Sequence, residues 1–217
     1  MKPALATVTL FFFLFAFSTK PSHVSASTGE PVVDISGEKL KAGESYYILS
    51  AVSGRGGLSF EDFGNDTCFH VVVQESSELS KGKPVKFLPL NSNDVNTSIN
   101  LNVEFSDTII GCPESGVWKI TKRISEALNV GTNGVAGVGQ SFFNWFTIEK
   151  AESDGAYKLK FCPYPETETI VCQDLDIFFY GDDGKRYVGL ANPGQFETLE
   201  VVFEKADVNG GDAEMSR

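Results

Sequence analysis

His70 and four cysteines are the residues of this chain with the greatest chemical potential. A nucleophilic site of the Ser/His/Asp or Cys/His type would need His70, because His23 lies in the N-terminal leader described below. His70 follows Cys68 by two residues in a predicted strand, so the two side chains share a face. The sequence has no CxxC spacing that would suit zinc, and 29 acidic residues always allow some carboxylate pair. We therefore expect no cofactor and no metal, a structural or surface role for His70, and a protein that is not an enzyme, with a recruited enzyme as the least favoured alternative.

The polar stretch Pro89–Ser98 is the second candidate for function. It is rich in Asn and Ser and has a period of neither 2 nor 3.6. This composition is typical of an exposed loop. Apolar segments before it (Val85–Leu88) and after it (Ile99–Phe105) predict two strands. A long polar loop on a rigid body is a common place for binding residues.

The N-terminus has the features of a secretory signal peptide. Lys2 precedes an apolar run over Ala4–Phe17, which is shorter than the roughly 20 residues of a membrane span. Small residues at Val24–Ala26 predict cleavage after Ala26, giving a leader at 1–26. Without the leader, 16 basic and 29 acidic residues leave a net charge of −13. This acidity argues against binding to nucleic acids or anionic membranes.

Secretion would place Cys68, Cys112, Cys162 and Cys172 in an oxidising compartment, which predicts two disulfides. Four cysteines allow three connectivities. Pairing of neighbours in sequence, Cys68 with Cys112 and Cys162 with Cys172, is the simplest of them.

Short apolar and β-branched segments separated by turn signals predict an all-β fold of about a dozen strands, either a sandwich or a barrel. Asp154-Gly155 and Asp182-Asp183-Gly184 are typical of hairpin turns. Residues 122–140 are glycine-rich, and we interpret them as a long flexible loop that includes Lys122 and Arg123. A weak repeat of about 60 residues indicates threefold internal symmetry.

Segments along most of residues 31–206 resemble the plant Kunitz-type inhibitors, the soybean trypsin inhibitor family. The segments that carry the resemblance are Val32–Leu40 followed by Tyr46–Leu49, Gly54–Leu58, Val73–Phe87, Phe142–Lys150, Tyr157–Pro163 and Val201–Ala206. The four cysteines also stand in matching places.

The resemblance implies a β-trefoil domain at 27–206, a six-stranded barrel capped by three hairpins, with disulfides Cys68–Cys112 and Cys162–Cys172. It implies a monomer that inhibits secreted or digestive proteases, most often serine proteases, through a substrate-like loop. By position, this reactive loop comprises Pro89, Leu90, Asn91, Ser92 and Asn93.

Asn91 falls at the primary specificity position of that loop and Ser92 follows the scissile bond, whereas a slip of one residue would place Leu90 or Ser92 there. The loop has no Lys or Arg to meet the buried carboxylate of a trypsin-like pocket, so we expect non-tryptic specificity. Ala42 occupies the position of the family's scaffold Asn, which supports the loop from inside. Leu90 would suit a chymotrypsin- or subtilisin-like protease.

Asn65 and Asn96 begin glycosylation sequons, the second within the candidate loop. The alternative function is a non-inhibitory trefoil that binds a small molecule, a sugar or a receptor, or serves in storage or defence. A groove lined by Trp118, Phe143 and Trp145 would favour it, although such aromatics are more often core. We expect a secreted or vacuolar protein with a flexible tail at 207–217.

Overall fold

The described chain is almost entirely β-structure. The computed structural model describes residues 29–63, 66–107, 115–124, 127–137, 142–164, 171–180, 184–190 and 197–207. Its only described helix is a 3-10 turn at Phe142–Asn144, and no helix among these residues is long and apolar enough to cross a membrane. The predicted leader 1–26, and the predicted tail beyond Asp207, lie outside the described residues.

Six strands close into a barrel. They are β1 (Ser45–Ser50), β4 (Val85–Pro89), β5 (Leu101–Phe105), β8 (Phe146–Lys150), β9 (Tyr157–Phe161) and β13 (Glu200–Lys205). Each pairs antiparallel with the next, and β13 pairs with both β9 and β1, which completes the ring. Alternation of buried and exposed residues in β1, β9 and β13 places one face of each strand in the barrel interior.

Three hairpins cap one end of the barrel. Their strands are β2 (Leu58–Phe63) with β3 (Asp66–Gln74), β6 (Lys119–Ile124) with β7 (Ala127–Gly131), and β10 (Gln173–Phe179) with β11 (Arg186–Leu190). The strands β3, β7 and β11 also pair with one another. A two-residue strand β12 (Glu197–Thr198) adds to β10. Together the barrel and cap form the predicted β-trefoil.

The threefold repeat is regular. The first strand of each unit begins at Ser45, Leu101 and Tyr157, so successive units start 56 residues apart. The predicted hairpin turn around Gly155 is confirmed, since Lys150 pairs with Tyr157 and Gly155 has a φ of 73°. The prediction of three similar units is therefore confirmed.

The prediction of one long loop over residues 122–140 is wrong. Lys122 and Arg123 belong to β6, and Ala127–Gly131 forms β7. Apolar and polar residues do not alternate cleanly in either strand, and the glycines that follow the strands suggested a loop. β6 pairs with β7, and β7 also pairs with β3 and β11, which are far away in sequence, so the local pattern understates the tendency of this segment to form strands.

The core fills the barrel with aromatic and β-branched side chains. Trp118 packs edge-on against Phe146, and Trp145 is also buried. These two tryptophans therefore belong to the packed interior and do not line a groove, while Phe143 is exposed. Phe203 is fully buried and packs against Phe87 and Tyr157, whose ring centroids each lie 5.4 Å away.

One predicted disulfide is observed. Cys162 and Cys172 are bonded across a sequence separation of 10 residues, next to the pairing of β9 with β10. The other predicted disulfide, Cys68–Cys112, involves Cys112, which lies outside the described residues. Its pairing stays a prediction.

Phe203→Ala should destabilise the protein by about 3–5 kcal/mol, because it leaves a cavity beneath two aromatic rings at the barrel closure. Urea unfolding monitored by circular dichroism measures this change. Leu79→Ala is the control: Leu79 is 89% exposed, so its truncation should change stability by less than about 0.5 kcal/mol. Equal effects of the two substitutions would contradict this account of the core.

Candidate functional site

The candidate loop connects two neighbouring barrel strands at the end away from the hairpin cap. β4 and β5 pair from Val85↔Phe105 to Pro89↔Leu101. The Leu90 N–H then donates to the Asn100 carbonyl at 2.8 Å and extends the hairpin by one residue. Pro89, predicted to be in the loop, is thus the last residue of β4, and the chain stays strand-like through Leu90.

The chain turns sharply at Asn91. Its φ is 58°, in the left-handed region that Asn tolerates better than most residues. Ser92 Oγ accepts a hydrogen bond from the Asp94 N–H at 3.0 Å and donates to the Asp94 carbonyl at 2.7 Å. Asn91 and Asn93 are exposed, whereas Leu90 and Ser92 are half-buried. The predicted specificity residue therefore occupies a tight turn fixed by a local hydrogen-bond pair.

The second half of the loop is not the exposed segment predicted from its composition. Residues 93–97 run beside the N-terminal strap, which we define as residues 29–43. The Val32 N–H donates to the Val95 carbonyl at 3.0 Å, and the Val95 N–H donates to the Leu40 carbonyl at 3.2 Å. Val95 is only 1% exposed and joins the barrel core. The strap thus contacts this limb of the loop from both sides.

Thr97 and Glu30 form a reciprocal clamp at the start of the strap. The Thr97 N–H donates to the Glu30 carbonyl at 2.8 Å, and the Glu30 N–H donates to Thr97 Oγ1 at 2.9 Å. A Cβ added to Gly29 would lie 1.5 Å from the Thr97 carbonyl oxygen. Only glycine therefore permits the strap to approach the loop this closely.

Ala42 supports the loop through its backbone. Its N–H donates to the Asn93 carbonyl at 3.0 Å. The Ala42 methyl group adds no hydrogen-bond donor, whereas the Asn that the family carries at this position would supply an amide. Support of the exposed turn therefore depends on the backbone of the strap and on Ser92.

An ion pair joins the strap to the loop at the surface. Lys41 Nζ lies 2.5 Å from Asp94 Oδ1, and both side chains are half-exposed. The hydrogen bond and charge of Lys41 lower the pKa of Asp94, and those of Asp94 raise the pKa of Lys41. The Lys41 N–H also donates to the Tyr46 hydroxyl, which donates to Glu44. Because exposed pairs contribute little energy, this one mainly orients the loop.

His70 is buried and contacts other residues of the first hairpin. It is 4% exposed in β3, its Nε2 lies 3.0 Å from Asp62 Oδ1, and the Phe60 ring meets it edge-on. No group of three or more His, Cys, Asp or Glu suited to a metal occurs among the residues that the structure describes. His70 thus connects the two strands of the first hairpin.

Of the two predicted glycosylation sites, Asn65 and Asn96, only Asn96 lies within the described residues. Asn65 lies outside the described residues. Asn96 is half-buried and forms an isolated bridge with Pro31 of the strap. Whether either asparagine carries a glycan stays a prediction, as does contact of the loop with a protease.

Sequence reasoning missed the strap as the support of the loop. The signature segment Val32–Leu40 was used only to identify a family, although Val32 and Leu40 are fully buried and flank the loop. One signal was available: Val95 is an apolar residue within a polar stretch, as expected for an anchor.

Thr97→Val should loosen the loop, because it removes the acceptor of the Glu30 N–H while keeping the shape of the side chain. The expected cost is about 1 kcal/mol, with faster hydrogen exchange at Val95 and Thr97. Thr198→Val, an exposed threonine on β12, is the matched control and should leave both amides unchanged. Unaltered exchange in Thr97→Val would show that the clamp contributes nothing.

The Lys41–Asp94 pair should respond to acid. The lowered pKa of Asp94 means that the pair stabilises the loop above the ordinary value of 3.8 and loses this effect as pH falls through the lowered value. The raised pKa of Lys41 keeps the pair intact up to at least 10.5. The amide NMR shifts of Asn93 and Val95 should therefore be constant between pH 3.8 and pH 10.5 and should change as the pH falls below 3.8. In Asp94→Asn the acid-dependent movement should disappear, and its persistence would assign the titration to another group.

Comparison with known proteins places this geometry in a family. Residues 32–205 match the family model of the legume Kunitz proteins, described as trypsin and protease inhibitor. The chain is 34% identical to Kunitz trypsin inhibitor 5 of Arabidopsis thaliana over 204 residues, which cover 91% of this chain and 96% of the relative. It is 36% identical to the 21 kDa seed protein of Theobroma cacao over 206 residues, covering 88% and 90%.

The soybean trypsin inhibitor bound to porcine pancreatic trypsin has a similar structure. The TM-score is 0.65 at 28% identity, over 82% of this chain and all of the inhibitor. Both the β-trefoil and the resemblance found in the sequence are thereby confirmed. The family is one of inhibitors and not of enzymes, in agreement with the prediction. The match over residues 32–205 shows that the chain belongs to this plant Kunitz-type family of trypsin and protease inhibitors.

Proposed function

We propose that this protein inhibits serine proteases that have an apolar primary pocket, through the turn Leu90–Asn93. The family supports a protease inhibitor in general, and the solved complex of a relative with trypsin supports a serine protease as partner. The preference for an apolar pocket is our inference from the loop itself, in which residues 89–98 include no Lys or Arg.

The observation that carries this proposal is the placement of Leu90. Leu90 is the last residue before the turn whose backbone N–H makes a strand-like hydrogen bond. Asn91 follows directly and has a left-handed backbone conformation. A chain that enters a protease cleft as an added strand must be extended, which suits Leu90 better than Asn91. The half-exposed Leu90 side chain can fill an apolar pocket. Neither Leu90 nor Asn91 offers the cation that a trypsin-like carboxylate requires.

The strap supplies the rigidity that inhibition needs. A loop held in one conformation loses little entropy on binding, which favours a long-lived complex over cleavage and release. Residues 93–97 are held by backbone hydrogen bonds to strap residues on both sides. The turn at Leu90–Asn93 thus projects from a fixed base.

The proposed setting is the secretory pathway, with the mature protein as a monomer in the apoplast or vacuole. The leader predicted at 1–26 supports this setting. The disulfide between Cys162 and Cys172 is consistent with an oxidising compartment.

A non-inhibitory role in storage or defence is the second candidate. The resemblance places Asn91 at the primary specificity position, and Asn91 is held in a turn, which favours the non-inhibitory role. The cacao relative named only as a seed protein also supports it. In this case the loop would bind no protease at all.

Leu90→Ala should weaken inhibition of chymotrypsin or subtilisin about thirtyfold, since truncating a buried Leu costs about 2 kcal/mol. Titration of trypsin, chymotrypsin, subtilisin and papain with the purified protein measures the inhibition constants. Leu79→Ala, which truncates an exposed leucine on another loop, should leave them unchanged. An effect of Asn91→Ala but not of Leu90→Ala would assign the primary contact to Asn91. Absence of inhibition of all four enzymes at micromolar concentration would favour the non-inhibitory role.

Trypsin inhibition should appear in the double variant Leu90→Arg and Ala42→Asn. The arginine supplies the missing cation, and the asparagine adds an amide beside the Asn93 carbonyl that the Ala42 backbone already contacts. The single variant Ala42→Asn is the control and should not inhibit trypsin. If the double variant is inactive, the turn does not present residue 90 to the primary pocket of the enzyme.

A further inference from the structure

A polar cavity lies between the first and third repeats, where β1 ends and β13 begins. Its volume is about 190 Å³. Polar groups on its wall include Ser50, Arg55, Arg186, Glu197 and Glu200, and apolar contact comes from Val52 and its neighbours. We call it the Arg186 pocket.

Arg186 is the fixed element of this pocket. It is only 7% exposed, its Nε donates to Gln74 Oε1 at 2.8 Å, and its Nη2 donates to Glu197 Oε2 at 2.5 Å. The guanidinium carbon also lies 5.2 Å from the centre of the Phe179 ring. Within the described part of the chain these bonds use two of the five N–H donors of Arg186. The side chain lines the cavity, and its two hydrogen bonds hold the guanidinium in one orientation.

The charges of the pocket cancel. Arg55 and Arg186 stand against Glu197 and Glu200, so the four groups together carry no net charge. The hydrogen bond from Arg186 lowers the pKa of Glu197, with a further contribution from Arg55. Glu197 is therefore a carboxylate acceptor at neutral pH. Donors and acceptors together on the wall of a small cavity match a molecule bearing several neighbouring hydroxyl groups.

We propose that the Arg186 pocket binds one ring of a neutral sugar, either a free monosaccharide or the terminal unit of a glycan. The sugar hydroxyls accept hydrogen bonds from Arg55 and Arg186 and donate to Glu197 and Glu200. The C–H face of the ring packs on Val52 and Leu199. The cavity volume suits a single hexose and leaves the rest of a glycan outside.

The pocket is far from the candidate protease loop. Tyr46 pairs with Val85, and from this pair Pro89 lies four residues in one direction and Ser50 four in the other. Eight strand residues at about 3.3 Å each separate the two sites by roughly 26 Å along the barrel. A sugar and a protease could therefore bind together, and the proposal does not depend on inhibition.

Saturation-transfer NMR and calorimetry with a panel of sugars test the proposal. The neutral members are glucose, galactose, mannose and N-acetylglucosamine, each as free sugar and as methyl glycoside. The charged members are glucuronate and glucosamine. Binding of methyl glycosides as tightly as free sugars indicates a glycan terminus, and binding of free sugars alone indicates a monosaccharide ligand.

Arg55→Ala and Glu200→Gln should each weaken binding of the neutral sugar at least tenfold, since each removes a hydrogen-bonding group from the pocket wall. Arg186→Lys keeps the charge but loses the forked donors, and should weaken binding at least as much. Lys83→Ala removes a half-exposed cation away from the pocket and should have no effect. Circular dichroism verifies that each variant is folded. If Arg186→Lys does not fold, the measurement with Arg55→Ala still decides the question.

Three results would overturn the proposal. One is binding of glucuronate without the neutral sugars, which would make the pocket an anion site. Another is neutral-sugar binding that Arg55→Ala and Glu200→Gln leave unchanged, which would place the sugar elsewhere. The third is absence of binding up to about 50 mM, since even a Kd of about 1 mM, or about −4 kcal/mol, would be detected.

Discussion

The pairing of β1 with β13 is the interaction on which the rest of the molecule depends. It runs over five residue pairs, from Tyr46↔Lys205 to Ser50↔Val201, and joins segments more than 150 residues apart in sequence. Without it the barrel would be an open sheet with two exposed edges. The same pairing also positions both candidate sites, since the strap enters β1 at one end and the Arg186 pocket lies at the other.

The two ends of β1 are stabilised differently. At the loop end, Ile35 donates its N–H to the Phe203 carbonyl, and Lys205 forms an ion pair with Glu44, so strap and closing strand hold each other. At the pocket end, the Ala51 N–H donates to the Glu200 carbonyl and continues the pairing past the last strand residue. Backbone hydrogen bonds therefore fix both sites to the barrel.

Local pattern predicted the barrel strands better than the cap. Tyr157–Phe161 alternates because one of its faces meets the core and the other does not, and this alternation is visible in the sequence. The strand Arg186–Leu190 is buried along its whole length, so it shows no alternation, and it was not predicted. Its polar first residue is buried because Gln74 and Glu197, from two other strands, supply hydrogen-bond partners. That environment cannot be inferred from the neighbours of Arg186 in the chain.

The sequence by itself determined the all-β class and the family, because these follow from residue types at short spacings and from a resemblance along most of the chain. It indicated the threefold repeat weakly, and the Cys162–Cys172 pairing was the simplest of three and was implied by the resemblance. Only the tertiary structure decided that Asn91 adopts a left-handed turn and that Val95 is buried. It alone also showed the strap beside the loop and the burial of Arg186. The physical reason is that the burial of Val95 and Arg186 and the position of the strap result from hydrogen bonds and packing between segments roughly 50 to 110 residues apart, whose energies no local pattern records. The turn at Asn91 is held by local hydrogen bonds of Ser92, which composition alone does not reveal.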